Sequence, residues 1–230
     1  MKASVFSACL AAALIVSGQA QAGKKLDSLF NIDMLNVQIA YLETILGPAK
    51  SVVPLGGPEK HEFREYIVEG CKLYVDANKG NAIKYTLPLT PKCQADLSKI
   101  VREPKSTKGL TVGKFQSIHG DMAARASCLG ICGNAADPVA EFIWEGPHAA
   151  NFVRIGLGVT LASDAALNAA EKWQRIMEAK EGEDYVISTK FNCTNKYDSF
   201  ATNAFKNVAV DSISFDFQTS GDPYASECGR

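Results

Sequence analysis

Cysteine is the residue type with the most chemistry to offer in this chain. Cys71, Cys93, Cys128, Cys132, Cys193 and Cys228 are spread along it, and Cys9 stands near its start. Cys128 and Cys132 enclose three residues, Leu129, Gly130 and Ile131. A redox dithiol usually encloses two and opens a helix, whose terminus lowers one thiol pKa, so this longer spacing points to a structural bond. His119 and Asp121 precede the pair, and the four side chains make a loose zinc set. Structural zinc normally takes two tight ligand pairs, so no metal is expected. The chain has three histidines, His61, His119 and His148, which is little material for metal catalysis. His148 follows Gly146-Pro147 and reads as a solvated turn residue.

Other reaction centres are as thinly represented. Ser117 and His119 share a face on any strand by geometry alone. No Gly-x-Ser-x-Gly elbow is present to expose a serine nucleophile. Glu141 and Glu145 read as the solvent side of one strand rather than a glycosidase pair, which the fold would have to bring together. Glu178, Glu181, Glu183 and Asp184 read as a charged helix terminus. Gly56-Gly57 lies between prolines and leads into no helix, so it is no phosphate loop. Asn192-Cys193-Thr194 matches a glycosylation acceptor around a cysteine expected to be bridged. No catalytic residue and no cofactor can be assigned, and an enzyme is the lesser expectation.

Partner classes are narrowed by charge. Lys+Arg number 24 against 25 Asp+Glu. The one basic gathering, Lys99, Arg102, Lys105 and Lys108, is diluted by Glu103 and has no interleaved aromatics, so no nucleic acid is expected. Tyr66, Tyr74, Tyr85 and Trp144 fall on predicted strands and are of the type that anchors protein interfaces. Core packing is the competing reading of each.

The compartment follows from the first residues. Met1-Lys2, an apolar run from Val5 to Val16, and Ala20-Gln21-Ala22 form an export signal with cleavage after Ala22. The run is shorter than the roughly 20 residues that span a bilayer, and no later stretch is longer and as apolar, so no transmembrane span is expected. Cys9 would leave with residues 1–22. The remaining six cysteines imply disulfides in a periplasmic or secreted protein, and neighbours along the chain are the simplest pairs: Cys71 with Cys93, Cys128 with Cys132, Cys193 with Cys228.

Periodicity supplies the elements. Leu35, Ile39, Leu42 and Leu46 recur at helical spacing within Leu26–Leu46, ended by Gly47-Pro48. Ser51–Lys60, with Pro54, Gly56, Gly57 and Pro58, reads as a loop. Three strands follow, Phe63–Val68, Cys71–Asp76 and one through Ile83, Tyr85 and Leu87, turned at Glu69-Gly70 and at Asn78–Asn81. In the second, Lys72 and Tyr74 lie on the wetter side, opposite Cys71 and Leu73. Residues 98–109 read as a solvated linker. Beyond it, Leu110–Ile118 reads as a short strand, Asp121–Cys132 stays open between helix and irregular chain, and Val139–Glu145 is a strand. Val153–Leu161 is the strongest strand, with Gly156 and Gly158 leaving room for something to lie close to one face. Ser163-Asp164 caps a helix reaching Ala179. Strands through Tyr185–Phe191 and Val208–Phe217 complete the chain. The prediction is α+β, as two disulfide-stapled helix-plus-antiparallel-sheet modules over 23–97 and 110–230.

The helix ending in Leu46-Gly47-Pro48, the loop, and a meander beginning near Tyr66 and carrying a cysteine resemble modules of the β-lactamase inhibitor protein and of small outer-membrane assembly lipoproteins. The resemblance covers residues 30–93. It implies an interaction surface on the sheet, and the lack of a lipidated N-terminal cysteine departs from the lipoproteins. The function expected is an exported, non-enzymatic protein-binding module for another protein of the envelope or periplasm, such as an inhibitor or immunity protein. The alternatives are a small-molecule or lipid binder using the space at Gly156 and Gly158, and an enzyme whose site the fold gathers, with His119, Asp121 and Arg125 as markers.

Overall fold

The computed structural model describes residues 22–56, 60–129, 138–147, 152–217 and 228. All but Ala22 of the predicted export signal, together with Cys132 and His148, lies outside the described residues.

The helix expected over Leu26–Leu46 is interrupted. Ala22–Leu29 forms α1 and Ile39–Leu46 forms α2. Between them Asn31 caps a single 3₁₀ turn, and Asn36 takes a φ of 64°. Asparagine tolerates the left-handed region better than most residues. Gly47 ends α2 at a φ of 82°, as the Gly-Pro stop predicts. Ser51–Gly56 is a strand, β1, and not a loop. It lies at a sheet edge, where Pro54 costs no internal ladder bond. The meander β2 (His61–Val68), β3 (Cys71–Asn78) and β4 (Asn81–Pro88) follows, and positive φ at Glu69-Gly70 and Lys79-Gly80 suits tight hairpin turns. Cys71 bonds Cys93 with a Cα separation of 5.6 Å, as expected.

Residues 98–109 are folded back rather than solvated: Leu97 N–H donates to Lys105 O, and Ile100, Val101 and Thr107 are buried. The strand expected at Leu110–Ile118 is a helix, α3 (Val112–His119), capped by the Thr111 hydroxyl on Lys114 N–H and closed by Gly120. Val112 and Phe115 are the buried pair, three apart, which fits a helix stripe and not strand alternation. Ala123–Ala126 is β5, Val139–Glu145 β6 and Val153–Thr160 β7. Asp164–Glu181 is α4, with Ser163 capping Ala166 N–H and Trp173 and Met177 buried, as predicted. The strand expected at Tyr185–Phe191 is instead α5 (Glu183–Ile187) and a 3₁₀ turn (Lys190–Cys193). Asp198–Phe205 is α6 and Ser212–Phe217 is β8.

The eight strands of the described residues form one antiparallel sheet in the order β1-β2-β3-β4-β8-β7-β6-β5. Both predicted modules contribute to it, and a continuous hydrophobic core runs beneath it from Leu26 to Phe215. The order is preserved when β1–β4 are exchanged for β5–β8, and the detail repeats too. Ile39 N–H, opening α2, donates to Gly80 O at 2.8 Å before β4; Val112 N–H, opening α3, donates to Val208 O at 3.3 Å before β8. Ala82 N–H donates to Val37 O, and Val210 N–H to Leu110 O. The isolated bridges Gln38 to Asn81 and Thr111 to Ala209 stand in the same relation. What separates the halves is the connection into the central strand. It is the Lys79-Gly80 turn in one and the stretch carrying α4, α5 and α6 in the other.

Candidate functional site on the polar sheet face

Side chains alternate across a sheet, and the register sorts them here. On one face the helices pack. Phe30 meets Phe215, Phe115 meets Trp144, and Phe205 meets Phe142, with ring centroids 5.2, 6.1 and 5.1 Å apart. Among the described residues, every ring contact between helix and sheet lies on that face.

The opposite face carries charge in a regular order. Asp76 on β3 stands opposite Lys84 on β4, Lys84 opposite Asp216 on β8, Asp216 opposite Arg154 on β7, and Arg154 opposite Glu145 on β6. Five neighbouring strands thus present acid, base, acid, base, acid along one row. Opposite charges facing across strands each stabilise a sheet by roughly 0.2–1 kcal/mol when exposed. The centre of this row is not exposed. Arg154 and Asp216 are both buried and joined by a two-pronged pair, Nε to Oδ1 and Nη2 to Oδ2, each at 2.7 Å. Burial pushes the Asp216 carboxyl above its usual range, and the Arg154 hydrogen bond and charge pull it back. Burial likewise raises Asp76, against the charges of Lys84 and His61.

The glycines of β7 make this arrangement possible. Lys84 Nζ reaches Glu141 Oε1 at 3.5 Å although β8 and β7 lie between their strands. A Cβ on Gly156 would stand 2.5 Å from both Glu141 Oε1 and the Ser214 hydroxyl, and one on Gly158 would run into the Ser212 hydroxyl. The room predicted at these glycines is filled by the chain's own polar groups. The space left among Lys84, Glu141, Ile143, Arg154, Gly156, Ser214 and Asp216 is about 10 Å³, that of a single water. Among the described residues, the space beside these glycines is this water-sized one and no wider cleft.

A larger recess, of about 380 Å³, lies where β5 and β6 meet α6. Asp121, Glu145, Asn195, Asp198 and Ser199 line it over a floor of Met122, Ala123 and Ile143. Asp198 is buried, and burial pushes its carboxyl up to about 6, against hydrogen bonds from Ala124 N–H and Arg125 and the Arg125 charge. Arg125 is buried behind it, with Nη1 donating to Ala124 O at 2.9 Å and Nη2 to Asn195 Oδ1 at 3.0 Å. Asn192 completes this contact by pairing both polar groups of Ala126 on the outer edge of β5: Ala126 N–H donates to Oδ1 at 3.0 Å, and Nδ2 donates to Ala126 O at 2.8 Å. Asn192 and Asp198 thus take up backbone groups of β5, and Asn195 holds the Arg125 side chain beside them.

Of the aromatic residues predicted as interaction anchors, Tyr66, Tyr85 and Trp144 lie on the helix-covered face and are buried, so none presents a docking surface. Tyr85 donates to Met34 O, Tyr66 reaches Glu43 on α2, and Trp144 packs on α3. Tyr66 and Trp144 occupy matching places in the two halves, each holding the helix that precedes its strands. Tyr74 does lie on the polar face, half-buried and stacked on Phe63 at 5.1 Å. Lys72 beside it is exposed, as the alternation predicts. The enzyme markers are separated. Asp121 lines the recess and Arg125 backs it, but His119 stacks between Phe115 and Trp144, with Nε2 on Glu103 O. Burial lowers the His119 pKa. Ser117 donates to Lys114 O on the same helix.

Cys193 bonds Cys228 as predicted, with a Cα separation of 5.4 Å. Cys128 is also disulfide-bonded, and Cys132 lies outside the described residues. Among the described residues no three His, Cys, Asp or Glu side chains gather as a metal site, and no helix is long and apolar enough to cross a membrane.

Fold and surface together define an α+β protein on one eight-stranded antiparallel sheet, with helices on one face and a charge ladder on the other. Comparison with protein-family models, curated proteins and solved structures returns no match.

Proposed function

We propose that this chain is an exported protein-binding module of the envelope or periplasm, of the inhibitor or immunity kind, and that the polar sheet face is its docking surface. The observation that carries this is the face itself. It spreads across six strands from Phe63 to Glu145, and its inner charges are matched in pairs around a water-sized gap, so it offers area rather than a reaction centre. A pre-organised, rigid surface is what tight protein binding rewards, because little side-chain freedom is lost on association. The resemblance of residues 30–93 to modules that bind proteins through their sheet supports the same reading. The Ala20-Gln21-Ala22 signal and the disulfides support the compartment.

The test is site-directed photocrosslinking in the native host envelope. A photoreactive residue replacing Thr86, on the polar face, should give a discrete crosslinked species. The same residue replacing Leu167, exposed on α4, should give none. Equal or absent crosslinking from the two positions would overturn the reading.

A further inference from the structure

We infer that the surface which docks on this face presents basic side chains, with one arginine or lysine against Asp76 and another against Glu145. This rests on the docking role proposed above and adds the chemistry of the partner. The cations of the face are largely committed. Lys50 pairs with Glu65 at 3.0 Å, Lys84 with Glu141 at 3.5 Å and Arg154 with Asp216 at 2.7 Å. Among the described carboxylates of this face, Glu65, Glu141 and Asp216 are paired, and the two that end the row, Asp76 on β3 and Glu145 on β6, have no hydrogen bond or ion pair of their own. Among the described residues, Lys72, at the far end of β3, is the cation of the face left over. The face is therefore short of positive charge at two defined points. With β4, β8 and β7 between them, those points are about 19 Å apart at the usual strand spacing.

The two ends differ in what surrounds the carboxylate. Asp76 is half-buried and stands opposite Phe63, whose ring stacks on Tyr74. His61 lies at the end of β2 on the same side, with Nε2 buried and unbonded. A guanidinium seated there meets a desolvated carboxylate beside the stacked Phe63–Tyr74 pair, a combination stronger than either contact alone. Burial raises the Asp76 pKa, and the charges of Lys84 and His61 pull it back only in part. Glu145 is exposed and its contact is screened by solvent, so it contributes orientation more than affinity.

An NMR titration of the full chain separates this proposal from the one it rests on. The probes are an octa-arginine peptide and an octa-glutamate peptide of equal length. Octa-arginine should shift the amides of Phe63, Tyr74, Asp76, Lys84 and Glu145 first. The double variant Asp76→Asn/Glu145→Gln, checked by thermal melting for retention of fold, should bind it at least tenfold more weakly. Asp164→Asn/Glu171→Gln on α4 should change binding less than twofold. Shifts centred on α4, an unchanged affinity in the Asp76/Glu145 variant, or preference for octa-glutamate would each overturn the proposal. If the Asp76/Glu145 variant still gives the Thr86 crosslink at wild-type yield, the face docks a partner by other contacts, and this inference alone fails.

Discussion

The two halves of the sheet follow one path with different protection. Each has a helix closed by glycine, Gly47 or Gly120, and a buried aromatic, Tyr66 or Trp144, that anchors it. In the second half the outer strand β5 is covered: Asn192 occupies both polar groups of Ala126, and Arg125 is held by Asn195. In the first half β1 has no such cover among the described residues, and Val52, Val53 and Leu55 are 43%, 50% and 53% exposed. An open edge is a template for unwanted pairing, and Pro54 with the register break beside it guards this one. The difference comes from the connection before the central strand. A hairpin turn can only reverse the chain, whereas the helical stretch in the second half reaches back across the sheet to its far edge.

The comparison can be broken most severely at the helical stretch. Trp173 is fully buried against Phe191, so Trp173→Ala should cost about 3–5 kcal/mol in urea denaturation and expose β5 amides to hydrogen exchange before those of β2 and β3. Next is the seam that both halves share. Asp216→Leu alone strands a buried guanidinium and should cost about 3–5 kcal/mol, while Arg154→Leu/Asp216→Leu should be less destabilising than that single change. A purely additive pair would refute the coupling. The edges themselves give smaller, contrasting effects. Asn192→Ala should cost about 1–3 kcal/mol and speed exchange of the Ala126 amide, whereas Val53→Lys should stay within about 0.5 kcal/mol and reduce any self-association. A pH effect is confined to the second half. With its folded pKa raised to about 6, Asp198 holds a proton in the folded state that the unfolded chain has released. Its contribution to stability therefore declines as pH rises from about 4 to about 6 and is level above that. Urea midpoints at pH 4.5 and 6.5 should differ less in Asp198→Asn than in the parent by the amount this group supplies.

Local patterns in the sequence reveal much of the sheet and little of its use. Alternation locates β2, β3, β6 and β7, Ser163 and Gly182 bracket α4, and chain proximity is enough to pair Cys71 with Cys93 and Cys193 with Cys228. β1 escapes because an edge strand tolerates the Pro54 and Gly56 that read as loop. β5 escapes because Ala123–Ala126 is too short and small for a periodic signal. Tyr185, Ile187, Thr189 and Phe191 alternate, but Ile187 is 54% exposed while Phe191 is buried, so the spacing there marks no sheet face. The charge ladder is the deeper loss. Each of Asp76, Lys84, Glu145, Arg154 and Asp216 is an ordinary polar position on its own strand. Their order is visible only once β8 is known to lie between β4 and β7. The glycines at 156 and 158 did signal a close approach, though by neighbouring side chains and not by a ligand.

That placement of β8 also sets the order in which the molecule can be completed. The last strand of the described chain occupies the middle of the sheet, so β4 and β7 each keep an unpaired edge until Ser212–Phe217 arrives. Contacts so distant in sequence carry a large loop-closure cost and slow folding. A chain not yet made as far as β8 therefore has no finished sheet. The charge row across β3, β4, β8, β7 and β6 likewise comes into being only when β8 joins β4 to β7.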